Sequence, residues 1–182
     1  GLGDVYKRQM NMLELKQALA EAIAQLTPEG RWQAGGKFDL LIFDACNMQM
    51  AEVGYQIRDY VDIMVGSEAV VPGDGLPYDT VLSGLKNENE NEPGMTPEAF
   101  ASHIVSVYGQ SYTFPVTISA IQLSAFSSRL SQAIADFATE LSDALSNYTR
   151  EIYLAYRNTQ RFGFGDYCDL YDFATEIINQ VN

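Results

Sequence analysis

The chain has 182 residues, 47% of them hydrophobic, which is enough for one domain with its own apolar core. Its formal net charge of -13 disfavours nucleic acids and anionic membranes as partners, because both are polyanions. No apolar run is long enough to span a membrane, and two cysteines do not make a disulfide framework.

The first nine residues differ from the rest of the chain, because they have neither apolar periodicity nor a turn signal. The segment Asp4 to Gln9 can be encoded by a transposon end that is used to prepare sequencing libraries. We therefore interpret residues 1–9 as a sequencing artefact and expect the natural protein to extend further upstream. A frayed natural terminus is the alternative. Residues 10–182 are expected to form one partial domain.

Helices and strands are predicted to alternate after residue 10. Apolar residues at three- and four-residue steps indicate a helix over 11–26. The run 38–45 is apolar and of strand length, which is typical of a strand buried on both faces of a parallel sheet. A helix over 48–60 and a strand over 61–67 follow. Strand, helix and strand in this order predict a βαβ unit.

The second half of the chain continues the α/β pattern. Thr96 can cap a helix that has Pro97 in its first turn, and the alternation over 116–123 predicts another strand. Further predicted helices cover 78–86, 127–160 and 168–180, and polar or glycine-rich loops cover 27–37 and 86–94.

Cys46 and Asp44 follow the first predicted strand, where open α/β sheets carry functional side chains. The start of a helix carries partial positive charge and favours the thiolate of a nearby cysteine. Strand alternation would point both side chains the same way. An acid disfavours a thiolate beside it, so Asp44 suits binding of a cationic substrate better than activation of Cys46. A buried structural cysteine and a helix-capping aspartate are the alternatives.

Asp74 lies between two glycines in the loop after the second predicted strand. Glycines allow the backbone to approach a ligand closely, and neighbouring parallel strands end at the same edge of the sheet. Asp44, Asp74 and Cys46 would then lie at the same edge of the sheet. An ordinary turn is the alternative for Pro72 to Gly75.

Four stretches, in order, resemble the clostripain family of cysteine peptidases, relatives of caspases and gingipains. They are FDLLIFDAC at 38–46, MAEVGYQIRDYVDIMVGSE at 50–68, PGDGLPYD at 72–79 and DLYDFA at 169–174. The resemblance implies a caspase-like α/β/α sandwich with a mostly parallel sheet, incomplete on its N-terminal side. It also implies a bacterial endopeptidase that cuts protein or peptide substrates after Arg or Lys. It implies a secreted or cell-envelope location, and it allows calcium as a cofactor.

The resemblance assigns roles to individual residues. Cys46 matches the family's nucleophile, Asp44 matches an acid that shapes the pocket for the basic side chain, and Asp74 matches a second pocket acid. A carboxylate can pair bidentately with Arg and less directionally with Lys, so Arg is expected to be preferred over Lys.

The chain departs from the family at the catalytic histidine, which the resemblance places in a His-Gly pair on the strand before the nucleophile strand. The single histidine, His103, lies downstream in a predicted helix. We interpret it as a helix-surface residue and Cys168 as a structural cysteine at the start of a helix. The catalytic histidine is expected upstream, so this chain alone is expected to be inactive.

Two other functions remain open from the sequence. A non-catalytic caspase-like domain that binds partners would keep the fold and lack the histidine. A receiver-like signalling domain would use Asp44 as a phosphoacceptor, but that fold needs a Lys at a later strand end. The strand predicted over 116–123 offers no Lys.

Overall fold

The structure is a computed structural model that describes residues 10–27, 36–85, 94–126, 128–162 and 167–181. Most of the loops predicted at 27–37 and 86–94 lie outside these residues, as do residues 1–9.

Every helix and strand predicted from the sequence is present. The helices are α1 (Met12–Leu26), α2 (Ala51–Ile57), α3 (Tyr78–Ser83), α4 (Pro97–Ser111), α5 (Ser128–Asn158) and α6 (Leu170–Val181). The strands are β1 (Phe38–Ile42), β2 (Val61–Gly66), β3 (Ser119–Gln122), β4 (Arg161–Phe162) and β5 (Tyr167–Cys168), and a 3-10 helix covers Leu123–Phe126. The short antiparallel pair β4–β5 was not predicted.

Side-chain caps fix the start of two helices. Asn11 Oδ1 accepts hydrogen bonds from the backbone of Leu13 and Glu14, each at 3.0 Å, and the Glu14 carboxylate accepts one from the Asn11 backbone. The Thr96 hydroxyl accepts the Ala99 N–H at 3.2 Å, which confirms the predicted cap of α4. Both caps satisfy backbone donors that a helix start leaves unpaired.

The main sheet has the order β1–β2–β3. β1 and β2 run parallel, with Leu40 opposite Ile63, whereas β3 is antiparallel to β2. The described sheet is therefore small and mixed, and the crossover from β1 to β2 through α2 is the predicted βαβ unit.

Helices cover both faces of the sheet. On one face, α3 and α4 pack on Ile63 and Val65, and the buried residues of this cluster include Ile104 and Tyr108. On the other face, Met64 joins a cluster to which α1, α2 and the 3-10 helix contribute. β2 is buried on both sides except at Asp62. β1, the strand for which burial on both faces was predicted, is only partly buried, and its Asp39 is exposed. The α/β class is confirmed.

The segment between β1 and α2 differs from its prediction. β1 ends at Ile42 rather than at 45, and α2 begins at Ala51 rather than at 48. Asn47 takes a left-handed conformation with φ 56°, which no helix or strand accommodates. The Asn47 N–H bonds the Ala69 carbonyl and the Gln49 N–H bonds the Ser67 carbonyl, each at 3.1 Å. The backbone after β1 thus pairs with the backbone after β2 and cannot coil into a helix.

Candidate active site

Asp44 and Cys46 directly follow β1, and the loop at 70–77 follows β2. Since β1 and β2 are parallel, both segments leave the sheet at the same edge, as predicted. Asp44, Cys46 and Asp74 are all exposed. The expectation that strand alternation aligns Asp44 with Cys46 does not apply, because β1 ends before either residue. Instead, both side chains bond to the loop after β2.

The thiol of Cys46 is exposed, which excludes the buried structural cysteine. Its Sγ accepts a hydrogen bond from the Val71 N–H at 3.3 Å and lies 4.0 Å from the Val71 carbonyl oxygen. Four residues separate Cys46 from Ala51, the first residue of α2. The donor at the sulfur is therefore a loop amide rather than the start of a helix.

The carboxylate of Asp44 is fixed by the loop that follows β2. Its Oδ2 accepts the Leu76 N–H at 3.3 Å and the Tyr78 hydroxyl at 2.8 Å. This hydrogen bond is the main reason why the pKa of Tyr78 is raised. Gly75 has φ 65°, and a Cβ on it would lie 2.7 Å from Asp44 Oδ2. Only glycine suits that position, because it tolerates the left-handed backbone and leaves room for the carboxylate.

Asp74 lies in the turn of the same loop, next to Gly75. Burial raises the pKa of Tyr112, and the negative charges of Asp74 and Asp44 raise it further. The charges of both carboxylates therefore raise the pKa of the same tyrosine. The Tyr112 hydroxyl donates to the Gly75 carbonyl at 2.6 Å, which ties the loop to the residue that follows α4.

Tyr108, in α4, is only 1% exposed. Burial is the main cause of its raised pKa, and the charges of Tyr112, Asp44 and Cys46 add to it. Its hydroxyl has no hydrogen-bond partner among the described residues. The rings of Tyr108 and Tyr112 meet edge to face with their centroids 5.1 Å apart. This pair of tyrosines lies within the electrostatic influence of Asp44.

His103 and Cys168 are placed elsewhere. The His103 ring contacts α3, with Nε2 at 3.2 Å from the Thr80 carbonyl oxygen, and it stacks on Phe100. It is partly buried in a contact between α3 and α4. Cys168 is exposed and belongs to β5 rather than to a helix start, because α6 begins at Leu170.

The described residues do not fit a metal site, since no three His, Cys, Asp or Glu side chains among them are grouped to hold an ion. The run NENENE at 87–92, which belongs to the polar loop predicted over 86–94, lies outside the residues that the structure describes. None of the described helices combines the length and the apolar character needed to cross a membrane.

Sequence reasoning missed three groups that contact the predicted residues: the Val71 N–H, the Leu76 N–H and the Tyr78 hydroxyl. A backbone donor leaves no mark in a sequence. Tyr78 lies inside the PGDGLPYD stretch, four residues after Asp74. Its closeness in sequence to a proposed pocket acid is the one signal that could have identified Tyr78 as a site residue.

Residues 4–182 match the profile of the clostripain family. Clostripain from Hathewaya histolytica is 42% identical over 65 residues, which are 32% of this chain and 12% of that protein.

Two solved structures show the same fold. One is a secreted C11 cysteine protease from Bacteroides thetaiotaomicron in complex with an irreversible peptide inhibitor, with a TM-score of 0.57 and 26% identity over 93% of this chain and 43% of that chain. The other is a clostripain from the same species with the peptide inhibitor BTN-VLTK-AOMK, with a TM-score of 0.54 and 22% identity over 97% of this chain and 73% of that chain. The caspase-like fold is confirmed.

Proposed function

The chain belongs to the clostripain family, and from that premise we propose that it carries the nucleophile and the basic-residue pocket of a cysteine endopeptidase. Cys46 is the nucleophile, and Asp44 and Asp74 bind the Arg or Lys after which the peptide is cut. One observation carries this proposal: a single loop donates to both the exposed thiol and the neighbouring carboxylate. Val71 bonds Cys46, and five residues later Leu76 bonds Asp44.

The reaction is covalent. The Cys46 thiolate attacks the carbonyl carbon of the basic residue and forms a C–S bond, and the C–N bond breaks when the amine takes a proton from a histidine. Water then hydrolyses the thioester, releasing the acid and regenerating the thiol. The Val71 N–H donates a hydrogen bond to the Cys46 sulfur and so helps to fix its position. By family resemblance, the Cys46 N–H and the N–H of a Gly after the histidine stabilise the oxyanion.

The histidine of this proposed Cys-His dyad comes from sequence beyond these 182 residues. His103 is the single histidine of the chain, and its ring is engaged by Thr80 and Phe100. For that reason we propose that the 182-residue chain alone does not turn over substrate.

Recognition of a basic side chain rests on charge. The negative charges of Asp44 and Asp74 both act on Tyr112 and raise its pKa, and carboxylates attract ammonium and guanidinium groups. The VLTK peptide of the inhibitor bound to one solved relative ends in Lys, which is consistent with a pocket of this kind.

The experiment uses the full-length protein that contains this chain. Fluorogenic peptides ending in Arg, Lys or Gln are assayed with wild type and with Cys46→Ala, Asp44→Asn and Asp39→Asn. We expect cleavage of the Arg and Lys peptides, none with C46A, and a strong loss with D44N. Asp39 is an exposed carboxylate near the start of β1, at the opposite end of the strand from Asp44. D39N should therefore retain activity.

A wild-type protein that cleaves none of these peptides would contradict the proposal. If it nevertheless bound Lys-containing peptides through Asp44, the chain would be the non-catalytic binding domain instead.

The proposed site of action is outside the bacterial cytoplasm or in the cell envelope. One solved relative is described as secreted. Immunodetection of the protein in culture medium and envelope fractions would support this location. Recovery from the cytosol alone would contradict it.

A further inference from the structure

We infer that Tyr78 sets how the pocket distinguishes Arg from Lys, because it occupies one oxygen of Asp44; this inference rests on the proposed function. The Tyr78 hydroxyl lies 2.8 Å from Asp44 Oδ2, and the Leu76 N–H donates to the same oxygen at 3.3 Å. A carboxylate oxygen accepts about two hydrogen bonds, so Oδ2 is filled from within the chain. No described residue donates to Oδ1.

The occupied oxygen changes what Asp44 can recognise. A guanidinium gains its advantage over an ammonium by donating two parallel hydrogen bonds to both oxygens of a carboxylate. With Oδ2 filled, Asp44 offers only Oδ1, and one oxygen serves an ammonium as well as a guanidinium. The preference for Arg expected from the sequence assumed that both oxygens are available. Tyr78 therefore reduces the discrimination against Lys.

The position of Tyr78 is set by the backbone of the loop rather than by core packing. It is the first residue of α3, and its N–H bonds the Leu76 carbonyl at 2.9 Å. Its side chain is 53% exposed. Removing the hydroxyl by Tyr78→Phe should therefore leave only the Leu76 N–H on Oδ2, free one acceptor position for substrate, and preserve the fold.

Tyr112 provides the matched control. Its hydroxyl holds the same loop through the Gly75 carbonyl, at 2.6 Å, and makes no hydrogen bond to Asp44. Tyr112→Phe removes one hydroxyl that supports the loop but leaves Oδ2 occupied. A change in both variants would report on loop position, whereas a change in Tyr78→Phe alone would report on the carboxylate.

The test measures kcat/KM of the full-length protein on paired peptides that differ only in Arg or Lys at the cleaved bond. We expect Tyr78→Phe to raise the Arg-to-Lys ratio by about tenfold, mainly through a lower KM for Arg, since one added charge-assisted hydrogen bond has this order of effect. Tyr112→Phe should change both peptides by the same factor. An unchanged ratio in Tyr78→Phe, with wild type active, would overturn the inference alone. A wild type that cleaves neither peptide would overturn the proposed function and this inference with it.

A second measurement needs no variant. In a crystal structure of the wild-type protein with an Arg-ended inhibitor, we expect the guanidinium to contact Asp44 through Oδ1 alone, with the Tyr78 hydroxyl still on Oδ2. Two parallel guanidinium bonds to both oxygens, with Tyr78 displaced, would overturn the inference.

Discussion

Substituting Gly75 by alanine should destabilise the loop that fixes the proposed pocket acid. Gly75 has φ 65°, and the added Cβ would meet Asp44 Oδ2 at 2.7 Å, Oδ1 at 3.0 Å and Cγ at 3.2 Å. An L-residue in this conformation costs about 1 kcal/mol more than glycine. The carboxylate must also move, which weakens its bonds to Leu76 and Tyr78 by about another 1 kcal/mol. The expected loss is about 2 kcal/mol, or about 4 to 8 °C in Tm for a domain of this size.

The assay is thermal unfolding of Gly75→Ala beside wild type, with Gly73→Ala as the control. A Cβ on Gly73 would meet no atom within 4 Å, although the residue lies in the same loop. We expect Gly73→Ala to change Tm by no more than about 2 °C, since surface substitutions usually stay within about 0.5 kcal/mol. Equal Tm values for the two variants would refute the reasoning about Asp44 and the left-handed backbone.

Three further predictions concern other parts of the molecule. Gly54→Ala would bring a Cβ to 2.7 Å from the Phe126 ring, and we expect a loss of about 1 to 2 kcal/mol in urea unfolding, because overpacking outweighs the gain in helix propensity. Gly109→Ala, on the exposed side of α4 with no atom within 4 Å, should instead stabilise by about 0.5 kcal/mol in the same assay. The pKa of Tyr78 is raised by its bond to Asp44, so its contribution to stability is complete below the ordinary tyrosine pKa and is lost as pH rises through the raised value. As pH rises above about 10, Tyr78→Phe should therefore lose less stability than wild type in urea titrations, and identical alkaline profiles would contradict this.

The order of the elements was predictable because it depends on local periodicity. The apolar steps of α1 and the mainly apolar run that contains β1 can be recognised from neighbouring residues, and Thr96 with Pro97 marks the start of α4. The antiparallel direction of β3 was not predictable, since alternation over 116–123 indicates a strand but not the direction of its neighbour.

The site was predictable only in part. The edge shared by Asp44 and Cys46 follows from the strand ends of a parallel pair, and it was predicted correctly. The beginning of α2 was predicted three residues too early, because the left-handed Asn47 and its bond to Ala69 are set by tertiary pairing. The hydrogen-bond donor to Cys46 could not be predicted either. Val71 acts through its backbone N–H, a group that every residue except proline has.

The central claim is that Cys46 is a nucleophile placed beside a pocket for a basic side chain, and covalent labelling tests it most directly. The full-length protein would be treated with a Lys-ended peptide that carries a thiol-reactive electrophile, and the modified residue would be identified by mass spectrometry. Cys168 is also exposed, so it serves as an internal control. We predict modification of Cys46 alone, slowed strongly by Asp44→Asn. Modification of Cys168 at a comparable rate, or labelling of Cys46 that does not depend on Asp44, would contradict the account.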